Sequence, residues 1–271
     1  MLSINTNTNA LFALSNLQKT NRSLSKISQQ FATGKRVNSA ADDPAGSSII
    51  SKMTSRINGL KVAKDNVADA KSLIKIADGG LQGIEKKLQD MRELATAARS
   101  DTNSADERTA IQSRFDELVA EIDDYVSQST FNGIALIDGS ANLTIQSGAN
   151  VGDTTNITIG QDFTAEGLSV HELTLDSGAN AEAAITAIDT ALTNVNQGMS
   201  SLGALTNRFE NRMNFIDVAI ENNSAARSRI QDVDMAELAA ENVSMQMKQQ
   251  TNLFAVGQAI QLPQSIMSLL M

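Results

Sequence analysis

The sequence predicts a mainly α protein, in which the N- and C-terminal halves form a long antiparallel coiled-coil bundle with a small β element at the turning point. Between Ile49 and Ala98, apolar residues recur at alternating steps of four and three, and a similar stripe runs from Ala181 to Ile220. This average spacing of 3.5 residues is typical of helices that supercoil around a partner. With only 3% aromatic residues and two prolines, the composition also suits narrow helical rods.

The composition argues against several classes of function. A formal net charge of −9 is unfavourable for a nucleic-acid-binding surface. The chain has no Cys and therefore no thiolate ligands, and its one histidine, His171, has no second ligand at metal-binding spacing. No apolar run is long enough to span a bilayer, and the N-terminus lacks the pattern of a cleaved signal peptide. We therefore expect no cofactor, no nucleic acid and no membrane partner.

Residues 4–33 are predicted to form a helix with a thin apolar stripe. The other positions are mostly Ser, Asn, Gln and Thr, which are moderate to poor helix formers. We therefore expect this helix to be disordered until a partner covers its stripe. Asn21 lies on the stripe, where it either fixes the register of a coiled coil or belongs to a frayed helix.

Residues 34–46 interrupt the helical pattern. Gly34 can end the first helix, while Asp43 and Pro44 suit the start of the next, since a carboxylate caps a helix and proline is tolerated at its first position. The rod that follows is about 75 Å long at 1.5 Å per residue. The large residues of its seam include Leu60, Val67, Ile74, Leu81 and Leu88.

After this rod the chain turns back. Ser104–Glu107 is a capping box that opens a third, antiparallel helix, whose stripe includes Tyr125. Residues 130–178 then alternate in the manner of short strands and predict the β tip. The predicted strands are Leu143–Gln146, Asn156–Gly160 and Leu168–Leu175. Residues 180–223 form the second rod, with Leu192, Val195, Leu202, Phe209 and Ile216 on its seam.

Residues 226–271 are predicted to form the last helix, which Pro263 should kink or interrupt. Beyond Glu241 the only charged residue is Lys248, and the chain ends in a very apolar segment. A soluble monomer would not stably expose such a segment, so we expect it to be buried against copies of the same chain or another partner.

Seven stretches, in order along the chain, resemble bacterial flagellin, the subunit of the flagellar filament. They are Ile4–Asn7, Gly34–Gly46, Leu88–Ala95, Thr130–Gly133, Leu143–Asn150, Ala226–Asp234 and Leu262–Leu270. The resemblance implies an inner terminal coiled coil made of residues 1–42 and 224–271. Residues 43–223 would form the surrounding outer-tube domain, with its β tip at about 130–178. The large outer insertion of longer family members is missing.

The same resemblance implies a secreted structural protein that self-assembles into the extracellular flagellar filament and serves swimming motility. Export would occur in an unfolded state through the flagellar type III apparatus. The implied partners are further copies of the chain, sister flagellins, hook–filament junction and cap proteins, and an export chaperone at the C-terminal helix.

Three groups of site residues follow from the helical stripes and the resemblance. The inner coil would assemble through Leu14, Leu17, Leu24, Ile27, Phe31, Leu253, Val256, Ile260, Leu269 and Leu270. A segment similar to the family's innate-immune receptor epitope contains Gln89, Asp90, Arg92, Glu93 and Leu94, with Asp90 where recognised flagellins typically have Arg. Candidate O-glycosylation sites on the exposed tip are Ser140, Thr154, Thr155 and Ser177.

The sequence disfavours three other functions. An enzyme is disfavoured because the sequence contains no nucleophile–base–acid set and no metal-binding motif. A hook–filament junction protein shares the terminal coils, but the close match at both ends favours the filament subunit. A generic coiled-coil interaction protein would leave the β tip and the ordered matches unexplained.

Overall fold

The computed structural model describes the backbone of residues 7–270 and the side chains of residues 7–261. Within this part of the chain the fold is mainly α, as predicted, and no helix is long and apolar enough to cross a membrane. The helices are α1 (Thr8–Thr33), α2 (Pro44–Ala98), α3 (Ala105–Gln128), α4 (Gly178–Gln231) and α5 (Met235–Leu270). The strands are β1 (Thr130–Phe131), β2 (Ile134–Ala135), β3 (Ala141–Gln146) and β4 (Thr154–Ile159).

The chain divides into two compact units. The terminal unit contains the described residues up to Ser55 and from Asn222 onward. The central unit is Arg56–Glu221. The two units differ in how well they bury their apolar side chains, as described below for each one.

In the central unit, α2 and α4 run antiparallel, and ion pairs fix their register. The Lys64 Nζ atom lies 2.6 Å from Asp217 Oδ1, and the Arg92 Nε atom lies 2.6 Å from Asp189 Oδ1. Nine of the ten predicted seam residues are buried and Leu192 is half-buried. The buried nine are Leu60, Val67, Ile74, Leu81, Leu88, Val195, Leu202, Phe209 and Ile216.

Glycines in these helices let neighbouring side chains approach the helix backbone. A Cβ atom added at Gly83 would lie 2.6 Å from the ring of Tyr125, and one added at Gly198 would lie 2.5 Å from the ring of Phe163. Real Cβ atoms do not come so close to other atoms, so only glycine fits at these two positions. Each ring therefore packs directly on the backbone of a helix.

The predicted capping box is present at the start of α3. Glu107 N donates to Ser104 Oγ, and Ser104 N donates to the Glu107 carboxylate. Toward the end of this helix Val126 is buried, whereas Tyr125, which was predicted on the stripe, is 38% exposed. The predicted stripe of α3 is buried at Phe115, Leu118, Ile122 and Ser129, and only at Tyr125 does the neighbouring Val126 take the core position.

Two antiparallel strand pairs form the β tip. β1 pairs with β2, and β3 pairs with β4 from Ala141 opposite Ile159 to Gln146 opposite Thr154. The predicted strand at Leu168–Leu175 is wrong, because this segment forms turns. Its alternation instead reflects buried loop side chains: Leu168, Val170 and Leu175 all lie in the core.

The terminal unit begins its C-terminal half differently from the prediction. α4 continues to Gln231, and α5 begins at Met235 rather than in the predicted stretch after residue 225. The break arises at Asp234, whose Oδ1 atom accepts a 2.8 Å hydrogen bond from Ala236 N and so caps α5. The backbone of α5 is helical through Pro263, so the predicted interruption there is wrong.

Gly34 ends α1 in the left-handed conformation, with φ at 68°, as predicted. The residues after it are linked to the end of α4 by backbone hydrogen bonds. Arg36 N donates to Gln231 O at 2.7 Å, and Val233 N donates to Gly34 O at 3.2 Å. The two segments that lead to α1 and α5 are therefore joined to each other.

Candidate self-assembly surface

The terminal helices α1 and α5 pack antiparallel through both polar and apolar side chains, and Ile27 on α1 and Leu238 and Ala259 on α5 are buried. Among the described side chains, three hydrogen bonds cross between them. They join Asn7 Nδ2 to Ala259 O at 2.6 Å, Asn252 Nδ2 to Thr20 Oγ1 at 2.8 Å, and Gln249 Nε2 to Asn21 Oδ1 at 2.8 Å. Asn21 thus sits within a helix and bonds to the opposite one, so the helix is not frayed there, but its side chain is exposed rather than buried on the seam.

Most of the predicted inner-coil side chains are not buried by this pairing. Of the eight that are described, only Ile27 is buried. Leu17, Leu24 and Val256 are half-buried. The exposed fractions of the others are 43% for Leu14, 42% for Phe31, 54% for Leu253 and 52% for Ile260. Leu269 and Leu270 lie outside the residues whose side chains are described.

Several exposed apolar residues of these helices were missed by the sequence analysis. They are Leu11 (57%), Phe12 (71%), Val243 (51%), Met247 (59%) and Phe254 (72%). The 3.5-residue spacing predicts one apolar stripe on each helix, and these residues lie beside that stripe. A search for a second apolar face would have found them, because a helix that is apolar all round is one that becomes buried all round.

The α5 helix has two distinct faces. Ala259 and Asn252 face α1, and they are seven residues, or nearly two turns, apart. At about 100° per residue, Gly257 lies about 160° around the helix from Ala259. We call the exposed apolar side of α5 around Gly257 the outward face of α5. It is formed by Val243, Met247, Leu253, Phe254, Gly257 and Ile260.

A carboxylate fastens the segment that follows α1. Asp42 Oδ2 accepts hydrogen bonds from Asn38 N at 3.2 Å and from Ser39 N at 3.0 Å. Lys26 Nζ, on α1, lies 2.9 Å from Asp42 Oδ1. The bond from Lys26, together with those from Ser39 and Asn38, lowers the pKa of Asp42 to about 2.

The residues of the epitope-like segment lie on α2 in the central unit. Gln89 and Glu93 are exposed, and Leu94 is half-buried. Arg92 is held by Asp189, whose hydrogen bond and negative charge raise the pKa of the guanidinium group. A ligand that recognises Arg92 would therefore compete with Asp189.

The candidate glycosylation residues differ in accessibility. Ser140 and Thr154 are exposed, and Ser177 is half-buried. Thr155 is buried, with its Oγ1 atom 2.9 Å from Ser147 Oγ. The expectation that Thr155 lies on the exposed surface is wrong, because alternate residues of β4 face inward.

The described residues provide no metal centre: no three His, Asp or Glu side chains among them are placed to hold an ion. The distinctive feature of the described residues is instead a pair of helices that contact each other through both polar and apolar side chains and leave several large apolar side chains exposed. Such a surface is suited to association with other protein surfaces.

Two family models match the chain. Residues 4–142 match the bacterial flagellin N-terminal helical region, and residues 185–270 match the bacterial flagellin C-terminal helical region. Among curated proteins, the flagellar filament 33 kDa core protein of Treponema phagedenis is 35% identical, covering 98% of this chain and 99% of that protein. A flagellin of Halalkalibacterium halodurans is 38% identical, covering 90% of this chain and 91% of that protein.

Solved structures show the same fold. A crystal structure of Bacillus cereus flagellin matches with a TM-score of 0.50 at 30% identity and covers 56% of this chain and 88% of that chain. A putative flagellar hook-associated protein from Vibrio parahaemolyticus matches with a TM-score of 0.59, covering 70% of this chain and 100% of that chain. Its identity of 14% supports similarity of fold alone.

Proposed function

The chain belongs to the bacterial flagellin family, and from this membership we propose that the exposed apolar side chains of α1 and α5 join it to neighbouring copies. As a flagellin it is a structural subunit of the flagellar filament, exported from the cell and without enzymatic activity. The observation that carries the proposal is the exposure of Phe12 and Phe254 at 71% and 72%. Large rings so exposed on paired helices are typical of interaction surfaces.

Different parts of the chain would have different roles in the filament. We assign the inner coiled coil to residues 1–42 and 224–271, and the outer tube to residues 43–223. The contrast in burial supports this division. Leu88 and Phe209 in the central unit are fully buried within a single chain, whereas Leu14 and Leu253 in the terminal unit are exposed.

Burial of the terminal helices would then accompany polymerisation. Each large apolar side chain that becomes covered contributes about 1.5–3 kcal/mol, and it does so only in the assembled state. Contacts between different surfaces of successive copies do not close on themselves and so produce a helical polymer. We expect α1 and α5 to be ordered weakly in the monomer and firmly in the filament.

Removal of residues 242–271 tests the proposal. The truncated chain should remain a helical monomer, because the core of the central unit does not use these residues. Circular dichroism and a thermal melt would establish that the central unit is intact, and sedimentation would measure polymer. Full-length protein is the control. Filaments formed by the truncated chain at the concentration at which full-length protein assembles would contradict the assignment.

Other partners would bind the exposed apolar surface of the terminal helices, either before the chain assembles or at the ends of the filament. We propose that an export chaperone covers the outward face of α5, and that junction and cap proteins contact the terminal helices. Phe254→Glu tests the chaperone contact, since it places a charge at the centre of this face. Co-purification from the producing cell should fall at least about tenfold. Unchanged co-purification would exclude this face as the chaperone site.

Glycosylation would be confined to accessible hydroxyl groups. Ser140 and Thr154 fit this requirement by their exposure, and Ser177 fits it in part. Intact mass of the secreted protein, compared with that of Ser140→Ala and Thr154→Ala variants, measures any sugar at these positions. A mass equal to that of the bare chain would remove them as sites in that organism.

A further inference from the structure

Gly257 is a helical glycine that no contact among the described residues explains. It lies inside α5, where glycine is less favourable than alanine. A Cβ atom added at this position would meet nothing within 4 Å. Within the part of the chain that the structure describes, neither a turn nor a close approach requires glycine at this position.

Its neighbours distinguish Gly257 from another open helical glycine of the chain. On the same side of α5, one turn away in either direction, lie Leu253, Phe254 and Ile260, which are 54%, 72% and 52% exposed. Gly203 on α4 is also open, but exposed polar residues such as Ser200 and Asn207 lie one turn from it. Gly257 thus marks a shallow gap in the middle of an exposed apolar surface.

Two helical glycines of the central unit are covered by aromatic rings, whereas Gly80 is covered by Ser129 and Gly59 by Ala149. The ring of Tyr125 occupies the space above Gly83, and the ring of Phe163 occupies the space above Gly198. In both cases the ring comes from a different element and packs on the helix backbone. The same geometry at Gly257 would accept a ring of similar size.

That ring cannot come from the α1 helix of the same copy. Ala259 faces this helix and is bonded through its carbonyl oxygen to Asn7 Nδ2. Gly257 lies about 160° around α5 from Ala259 and so faces away from α1. Because flagellins assemble with copies of themselves, the available occupant is a second copy of the chain.

We propose that the phenyl ring of Phe12 from a neighbouring copy packs on Gly257 in the filament. This inference rests on the proposed role of α1 and α5 in assembly. The rings of the terminal unit are Phe12, Phe31 and Phe254. Phe254 belongs to the outward face itself, and Phe31 is only 42% exposed, compared with 71% for Phe12.

The position of Phe12 along the helix pair supports the choice. Asn7 is bonded to Ala259, so these residues lie at the same level of the antiparallel pair. Phe12 lies five residues after Asn7 on α1, and Gly257 lies two residues before Ala259 on α5. Because the helices are antiparallel, both steps move in the same direction along the pair. At 1.5 Å per residue the two differ in level by about 4.5 Å. Neighbouring copies placed side by side with little axial shift would therefore bring Phe12 close to Gly257.

The test compares Gly257→Ala with Gly203→Ala in the full chain. Alanine should not weaken the helix at either position. At Gly257 the added methyl group would displace the ring, and we expect the critical concentration for polymerisation, measured by sedimentation, to rise about tenfold. Gly203→Ala should assemble within about twofold of the unchanged protein. A Gly257→Ala variant that assembles at the original critical concentration would overturn the proposal.

A second comparison identifies the occupant. Phe12→Ala should itself raise the critical concentration, and in that background Gly257→Ala should have almost no further effect, because the clashing ring is gone. A full additional tenfold effect in the Phe12→Ala background would exclude Phe12 as the occupant. The proposed function would survive such a result as long as the unchanged chain polymerises and the chain without residues 242–271 does not.

Discussion

Lys26 Nζ lies 2.9 Å from Asp42 Oδ1, so the carboxylate that organises the segment after α1 is also bonded to α1 itself. The other oxygen of Asp42 accepts hydrogen bonds from the backbone of Asn38 and Ser39. One side chain therefore holds both ends of the connection between two helices. Its protonation state should control the order of that connection.

The first prediction concerns acid. The pKa of Asp42 is lowered to about 2, from an unfolded value of 3.8. Stability from this group is therefore fully present above about pH 4 and is lost as the pH falls through about 2. Amide signals of Asn38 and Ser39 in NMR spectra should shift over this window. In Asp42→Asn these shifts should be absent, and a variant that keeps the transition would show that another group causes it.

The second prediction tests the seam of the central unit. Leu88 and Leu202 are 0% and 2% exposed, so an aspartate at either position would be a buried, unpaired charge. We expect Leu88→Asp or Leu202→Asp to lower the free energy of unfolding by about 3–5 kcal/mol. Val62→Asp, on the same helix as Leu88 at a site that is 59% exposed, is the matched control. Equal melting temperatures for Leu88→Asp and Val62→Asp would refute the assigned seam.

The third prediction separates two glycines of one helix. Gly198 is covered by the ring of Phe163, whereas nothing lies within 4 Å of a Cβ at Gly203. Gly198→Ala should lower the free energy of unfolding by about 1–3 kcal/mol, because the ring must move. Gly203→Ala should raise it by about 0.5–1 kcal/mol through helix propensity. Denaturant titration measures both, and changes of the same sign would contradict the packing of Phe163 on α4.

The fourth prediction concerns the segment that resembles the innate-immune receptor epitope. Asp90 has the opposite charge to the Arg typical of recognised flagellins, and Arg92 is engaged by Asp189. We expect this chain to activate a receptor reporter in cells more weakly than a strong agonist flagellin. Asp90→Arg should increase the response, and Asp90→Asn should have a smaller effect. A response of the unchanged chain equal to that of the strong agonist would refute the prediction.

The rods were predictable from sequence because a sustained period of 3.5 residues has few interpretations. Val67 and Phe209 could be placed in the core from spacing alone. The segment at Leu168–Leu175 could not, since alternation with period two arises both in strands and in loops that send alternate side chains into a core. Whether such a segment finds a strand to pair with depends on residues far away in the chain.

The candidate surface was predictable only in part, for a related reason. Apolar residues spaced at 3.5 residues mark one face of a helix, and this spacing predicts Leu253 and Ile260. Phe12 and Phe254 became visible only when the structure showed which side of each helix its partner covers. Exposure after pairing is a property of two helices together, which one helical pattern does not contain.

The backbone bonds between the segments that lead to α1 and α5 have a mechanical consequence. Arg36 N donates a hydrogen bond to Gln231 O, and Val233 N donates one to Gly34 O. The two chain segments that connect to the terminal helices are therefore hydrogen-bonded to each other. A pull transmitted along one connection is shared at once with the other. Drag on a rotating filament would therefore exert force on the N- and C-terminal connections at the same time. Force that reaches one connection from the central unit would have to break these backbone hydrogen bonds before it acted on that terminal helix alone.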